Sequence, residues 1–225
     1  MSSLTTILQQ KIGQLIQIYG LLIAQLLITF FVLFTCIKNS SMVKKLNQYY
    51  FAIIIVTLII FIAMIAILAI PTIPVWIKVI VGILLSIMEG YLLCMFTGVI
   101  KVRGVNIMNL IKQSIIISVG LFVVLSIVGY ILVYFNINIA SWGLYLFAAL
   151  IVLLLVQIIG FFIPYESAFH KIIIIVGLLL FSVYVVYDTN KILMTNITNV
   201  FLAALNFYLD FINLFIRILS LKSSK

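Results

Sequence analysis

The chain of 225 residues is 67% apolar and 8% charged, with a net charge of +9 at pH 7 and a mean hydropathy of +1.45. Soluble domains carry about a quarter of their residues as charges, so a water-soluble fold is excluded and the sequence reads as a polytopic membrane protein. The thirteen Lys and Arg are dispersed over short connectors and tails, which argues against the single basic patch of a nucleic-acid-binding protein and makes them reporters of topology.

Residues 1–17 read as a short tail with a single Lys11 and no small-residue cleavage site, so the first apolar run is a span and not a signal peptide. Seven runs of roughly twenty residues are long enough to cross ~30 Å of hydrocarbon as helix. They are Ile18 to Ile37, Tyr50 to Ile70, Val79 to Ile100, Ile115 to Phe135, Gly143 to Ile163, Ile172 to Leu193, and Val200 to Leu219. Several are rich in β-branched residues, but a spanning segment must satisfy its own backbone polar groups, so helix is expected throughout. Pro71 and Pro74, Asn136 to Ser141, Pro164, and Thr195 to Asn199 punctuate the runs. The expected organisation is one all-α membrane domain over residues 18–219 and a short basic tail over residues 220–225. Cys36 and Cys94 lie in or beside apolar runs and are read as packing residues, neither a disulfide framework nor a zinc site. His170 is read as a solvated loop residue. Gln25, Gln157, Ser114, Ser118 and Ser126 are read as hydrogen bonds between packed helices, and Tyr49, Tyr50, Trp76 and Trp142 as an aromatic belt at span ends.

Basic residues alternate by connector. Lys38, Lys44, Lys45, Lys101, Arg103, Lys112, Lys171, Arg217, Lys222 and Lys225 fall on one side, and Lys11, Lys78 and Lys191 on the other. Ten against three predicts a cytosolic C-terminus and, with seven crossings, an N-terminus on the opposite side.

Only four acids exist, Glu89, Glu166, Asp188 and Asp210, and three lie within spans. A charged Asp at the centre of a spanning helix costs ~2.5–3.5 kcal/mol on insertion scales, so each is a functional-site candidate. Asp188 and Asp210 flank the turn around Ile197 almost symmetrically, and at ~1.5 Å rise per residue their depths differ by only a few Å. If the two faces meet, the carboxyl groups touch or share a water. Two carboxylates at contact distance cannot easily both ionise, so the pair holds a proton between them and titrates as a unit, a proton-sensitive latch. The alternative is a plain interhelical tether, of which such bonds average ~0.6 kcal/mol. Along the last span Asn206, Asp210, Asn213 and Arg217 share one helical face, which suggests a helix buried in a bundle or lining an aqueous path. Arg217 is either a partner for Asp210 reached through Asn213 or a side chain snorkelling to the interface. Glu89, mid-span in the third run, is the third acid of the cluster. These oxygen donors suit a hard cation such as Ca²⁺, but they fall short of the six to eight oxygens of a tight site, so a transient permeation site near Asp188, Asp210 and Glu89 is expected, with no tightly bound metal.

Three segments make the chain resemble the transmembrane Bax inhibitor motif family, which includes the Bax inhibitor, lifeguard and Golgi anti-apoptotic proteins and bacterial homologues. Ile18-Tyr-Gly-Leu-Leu-Ile-Ala-Gln-Leu-Leu-Ile-Thr29 looks like its opening span and Met88-Glu-Gly90 like its acidic third span. Val186-Tyr-Asp-Thr189 followed by Ala203-Ala-Leu-Asn-Phe-Tyr-Leu-Asp-Phe-Ile-Asn-Leu-Phe215 is the most specific match. The resemblance covers essentially all seven spans. It implies seven helices around a central C-terminal helix and a pH-sensitive calcium leak with Asp188 and Asp210 as di-aspartyl sensor. It also implies, in eukaryotic and viral members, inhibition of apoptosis with apoptosis-regulating membrane proteins as partners. Expected location is the endoplasmic reticulum or Golgi membrane for a eukaryotic or viral source and the plasma membrane for a bacterial one. No cofactor is expected, with Ca²⁺ as permeant ion and protons as regulator. Three features depart from the family, one being that many members have longer, more polar N-terminal regions than this chain. The second span carries no Arg or Lys to latch an Asp, and the family's topology with both ends cytosolic conflicts with the seven-crossing parity.

Two other functions compete. An intramembrane aspartyl protease also places Tyr-Asp in one span and a second Asp in the next, but Asp210 follows Phe207-Tyr-Leu209 where a Gly-x-Gly loop is needed, and no Pro-Ala-Leu stretch lies downstream. A seven-helix receptor explains neither acid, and the connectors offer little ligand surface.

Overall fold

The computed structural model describes residues 4–39, 41, 43, 48–101, 106–160, 163 and 168–223. Among them the chain is all-α, with seven helices and no strand. They are α1 (Leu4–Lys38), α2 (Tyr50–Ala69), α3 (Val75–Lys101), α4 (Ile107–Tyr134), α5 (Gly143–Gly160), α6 (Ala168–Met194) and α7 (Val200–Ser223). Six are long and apolar enough to cross a membrane; α2 is apolar over the shorter stretch Ile55–Ala69. The chain is therefore a multi-pass helical membrane protein. Its exposed surface fits that solvent: Phe31, Leu144 and Tyr145 are each more than 70% exposed, as befits side chains bathed in hydrocarbon.

Most helices outrun their apolar stretch. α1 begins at Leu4, so the expected tail is largely helical, and α4 begins at Ile107, ahead of Lys112 and Gln113. Hydropathy marks where a helix is apolar, whereas backbone hydrogen bonding sets its ends. His170 sits in the first turn of α6, half-buried, and not in a loop. Lys44, Lys45, Arg103, Pro164, Glu166 and Lys225 lie outside the described residues.

The helices gather into two compact units. The first comprises Met1–Gly13, Met108–Ile197 and Leu209–Lys225; the second comprises Gln14–Ile107 and Thr198–Tyr208. Both α1 and α7 contribute to each.

In the first unit, α4 ends in a Schellman motif. The Ile137 N–H donates to Leu132 O at 2.8 Å and the Asn136 N–H to Val133 O at 2.9 Å, with Asn136 in the left-handed region at φ 57°. The chain then makes a 3₁₀ turn (Ala140–Trp142) into α5. Gly143 opens α5 because the Tyr187 phenol occupies the place of its side chain, and Ile139, Leu146 and Tyr187 form a small core there.

In the second unit, α1 and α3 pack closely at Gly90, where a Cβ would lie 2.7 Å from Val32 Cβ and 2.8 Å from the Thr29 carbonyl oxygen. Cys36 and Cys94 join these two helices as a disulfide, which corrects the expectation of simple packing residues. A separation of 58 residues gives no local spacing pattern from which to read the pairing. Asn199 caps α7 by accepting the Leu202 N–H at 3.2 Å, while its Nδ2 donates to Leu68 O at 2.7 Å at the end of α2.

Ser114 and Ser118 donate to carbonyls of their own helix, Leu110 O and Ser114 O, where bonds between helices were expected. A hydroxyl four residues beyond a carbonyl reaches it without leaving the helix.

Candidate functional site

Asp188 and Asp210 are 5% and 4% exposed, and their side chains lie within hydrogen-bonding reach of each other. Asp188 comes from the last two turns of α6 and Asp210 from the middle of α7, and the five-residue connector 195–199 returns the chain so that the two faces meet. Oδ2 of Asp210 is buried without a hydrogen-bond partner among the described residues. A carboxyl oxygen so placed has acceptor capacity that only a proton, a water or a cation can fill.

The surroundings come from α6 together with α4 and the connector after it. The Lys191 ammonium lies close enough to act electrostatically on Asp188 and sits 5.4 Å from the Tyr187 ring centroid. Tyr184 is within electrostatic reach of both acids and meets Tyr187 edge to face at 6.4 Å. Thr189 presses against Gly129 of α4, where a Cβ would lie 2.6 Å from Thr189 Cβ and 3.0 Å from the Val186 carbonyl oxygen. Asn190 is completely buried. Its Oδ1 accepts the Ile139 N–H at 3.0 Å and its Nδ2 donates to Ile137 O at 2.8 Å, tying the connector after the Schellman motif to the helix turn that carries Asp188. Sequence reasoning missed this anchor. The available signal was an Asn two residues from the Asp in the same apolar run, with a breaker-rich connector upstream that needed partners.

The remaining polar residues of α7 behave differently from one another. Asn213 bonds within its own helix, Nδ2 to Leu209 O at 2.8 Å. Arg217 is 9% exposed and packs on α6 at Gly177, where a Cβ would lie 2.7 Å from its Nε; it does not snorkel. Asn206 is half-buried and belongs to the second unit. That unit holds its own polar cluster. Glu89, 9% exposed, is within electrostatic reach of Tyr208. The Tyr208 hydroxyl is 2.7 Å from Thr29 Oγ1, and Thr29 in turn donates to Ser86 O at 3.0 Å, so Tyr208 is the donor in the first bond. Among the described residues no three His, Cys, Asp or Glu side chains converge as a metal site.

A buried pair of carboxyl groups on consecutive helices of an all-α, multi-pass chain defines the class: a helical membrane protein with a buried acidic pair. The sequence matches the family described as inhibitor of apoptosis-promoting Bax1 over residues 13–225, and the chain belongs to that family. It is also similar to an uncharacterized protein found in two strains of Helicobacter pylori, 37% identical over 84 residues. The aligned part covers 37% of this chain and 36% of each relative, so the chain matches about a third of their length.

Proposed function

We propose that this protein is a proton-gated cation leak with Ca²⁺ as the permeant ion, and that Asp188 and Asp210 are its gate. The observation that carries this reading is two buried carboxyl groups within hydrogen-bonding reach of each other, with Asp210 Oδ2 lacking a hydrogen-bond partner among the described residues. With one proton shared between them the groups form a hydrogen bond that holds α6 to α7. Loss of that proton leaves two like charges side by side, and at ~4 Å with an effective dielectric near 20 their repulsion is ~4 kcal/mol. That is enough to shift a two-state helix contact decisively, and the same two charges make an oxygen-lined resting place for a hard cation.

In this reading all seven helices cross the membrane, α7 forms the centre of the bundle and the C-terminus is cytosolic. The burial of 72% of the α7 span, against 17–39% for the other five, supports the central role, and the ten-to-three division of basic residues supports the orientation. The membrane is the plasma membrane for a bacterial source and the endoplasmic reticulum or Golgi for a eukaryotic or viral one. Family membership supports a Bax-inhibitor-like role, with suppression of apoptosis following from calcium handling or from contact with apoptosis-regulating membrane proteins. Asn213 and Arg217, on the α7 face that carries Asp210, are proposed to flank the ion path. Purified protein in calcium-loaded liposomes tests the reading: Ca²⁺ efflux rises with pH, and Asp188→Asn or Asp210→Asn flattens the profile. No efflux at any pH would refute it.

A further inference from the structure

The second unit contains a cavity of about 170 Å³ lined by Leu21, Gln25, Ile28, Leu68, Lys78 and Phe201, among others. Its lining residues are apolar except for Lys78 and Gln25. Both residues are more than nine-tenths buried, Lys78 at 6% exposure and Gln25 at 9%. Gln25 Oε1 has no hydrogen-bond partner among the described residues. No hydrogen bond or ion pair joins the Lys78 amine to another described residue, although Lys78 lies in an apolar setting that makes a lone cation unfavourable.

A counter-charge from within the unit is out of reach. The nearest acid on the same helix, Glu89, is eleven residues further on, ~16 Å at 1.5 Å per residue. Among the described residues of this unit no acid reaches Lys78, and an anionic ligand would supply the counter-charge. The rim says from where: Ala24, Val79 and Ile83 are exposed and apolar, so the mouth opens toward lipid. An occupant entering by that route carries an apolar body and an anionic head. The volume compares with the ~150 Å³ cavity that admits benzene, which is room for the head-proximal part of one acyl chain, with the remainder lying along the exposed flank of α3. Gly82 lines the cavity, and a Cβ there would meet Gln25 Nε2 at 3.6 Å, an ordinary van der Waals contact.

We propose that this cavity is a binding site for a single-chain fatty acid, its carboxylate held by Lys78 and by the Gln25 carboxamide, which presents its NH₂ group after a half-turn. This site is separate from the proposed gate and does not depend on it. The test uses the full chain in phosphatidylcholine nanodiscs with parinaric acid as fluorescent probe, corrected against empty discs. Dodecanoate should displace the probe at least ~tenfold better than dodecanol, the difference expected for a charge-assisted hydrogen bond. Lys78→Met should remove that preference and Lys78→Arg should keep it, while Gly82→Leu, which fills the cavity, should abolish displacement by both compounds. Equal displacement by dodecanol and dodecanoate in the wild type would overturn the proposal. So would wild-type dodecanoate binding in Lys78→Met, or loss of probe binding when phosphatidylglycerol replaces the host lipid, which would assign the cavity to an anionic phospholipid.

Discussion

Replacing Asn190 by Ala tests how the acidic turn of α6 is held in place. The side chain makes two bonds to the α4–α5 connector, accepting from Ile139 N and donating to Ile137 O, and it is fully buried. Ala removes both at once. The Ile139 amide belongs to a residue 6% exposed, so it stays dry and unpaired, at a cost of ~1–3 kcal/mol. Ile137 is 46% exposed, so its carbonyl finds another donor at the membrane surface and adds less than ~1 kcal/mol. The sum is about 1–4 kcal/mol, or roughly 2–16 °C in the unfolding midpoint of a chain this size. Thermal unfolding in detergent followed by circular dichroism reads the midpoint, and amide hydrogen exchange reads the Ile139 N–H directly. Asn190→Asp keeps the acceptor and loses the donor, so its midpoint falls between those of the wild type and the Ala variant. An unchanged midpoint together with unchanged protection of the Ile139 amide in Asn190→Ala would refute the assignment of this anchor.

Two further substitutions probe packing. Gly129→Ala puts a methyl group against Thr189 and the Val186 carbonyl; overpacking of this kind costs ~1–3 kcal/mol, and because it pushes on the residue next to Asp188 it should lower the thermal midpoint and alter Ca²⁺ efflux together. Replacing Cys36 and Cys94 by Ala removes a cross-link spanning 58 residues, with an expected loss of ~2–4 kcal/mol. Mass spectrometry after alkylation of the unreduced protein should find both thiols unmodified.

The apolar runs made the helices legible, because lipid-facing side chains must be apolar over the whole crossing length. They did not reveal the helix ends: Leu4 to Gln17 and Ile107 to Ser114 are helical yet carry polar residues. The meeting of Asp188 and Asp210 was legible as geometry, since two helices joined by a tight connector place residues at equal depth when these are equally far from the turn. The burial of Arg217 against Gly177 was less so, because an arginine near a span end reads equally well as a snorkelling cation. The disulfide and the Asn190 anchor escaped altogether. Both join segments far apart in the chain, and neither type of residue carries a periodic signal. Lys78 was read only as a topological marker, although it is 6% exposed and lines a cavity.

The account rests on Asp188 and Asp210 acting as one titrating unit. Ca²⁺ efflux from liposomes, measured across pH for the wild type, Asp188→Asn and Asp210→Asn, tests this most directly. In the wild type, efflux should be low in acid, where the shared proton holds α6 to α7, and should rise with pH as the proton is lost and the two charges repel. In either variant an amide N–H replaces the shared proton, the hydrogen bond no longer depends on pH, and the profile should be flat. Variant profiles that rise with pH along the wild-type curve would contradict the account.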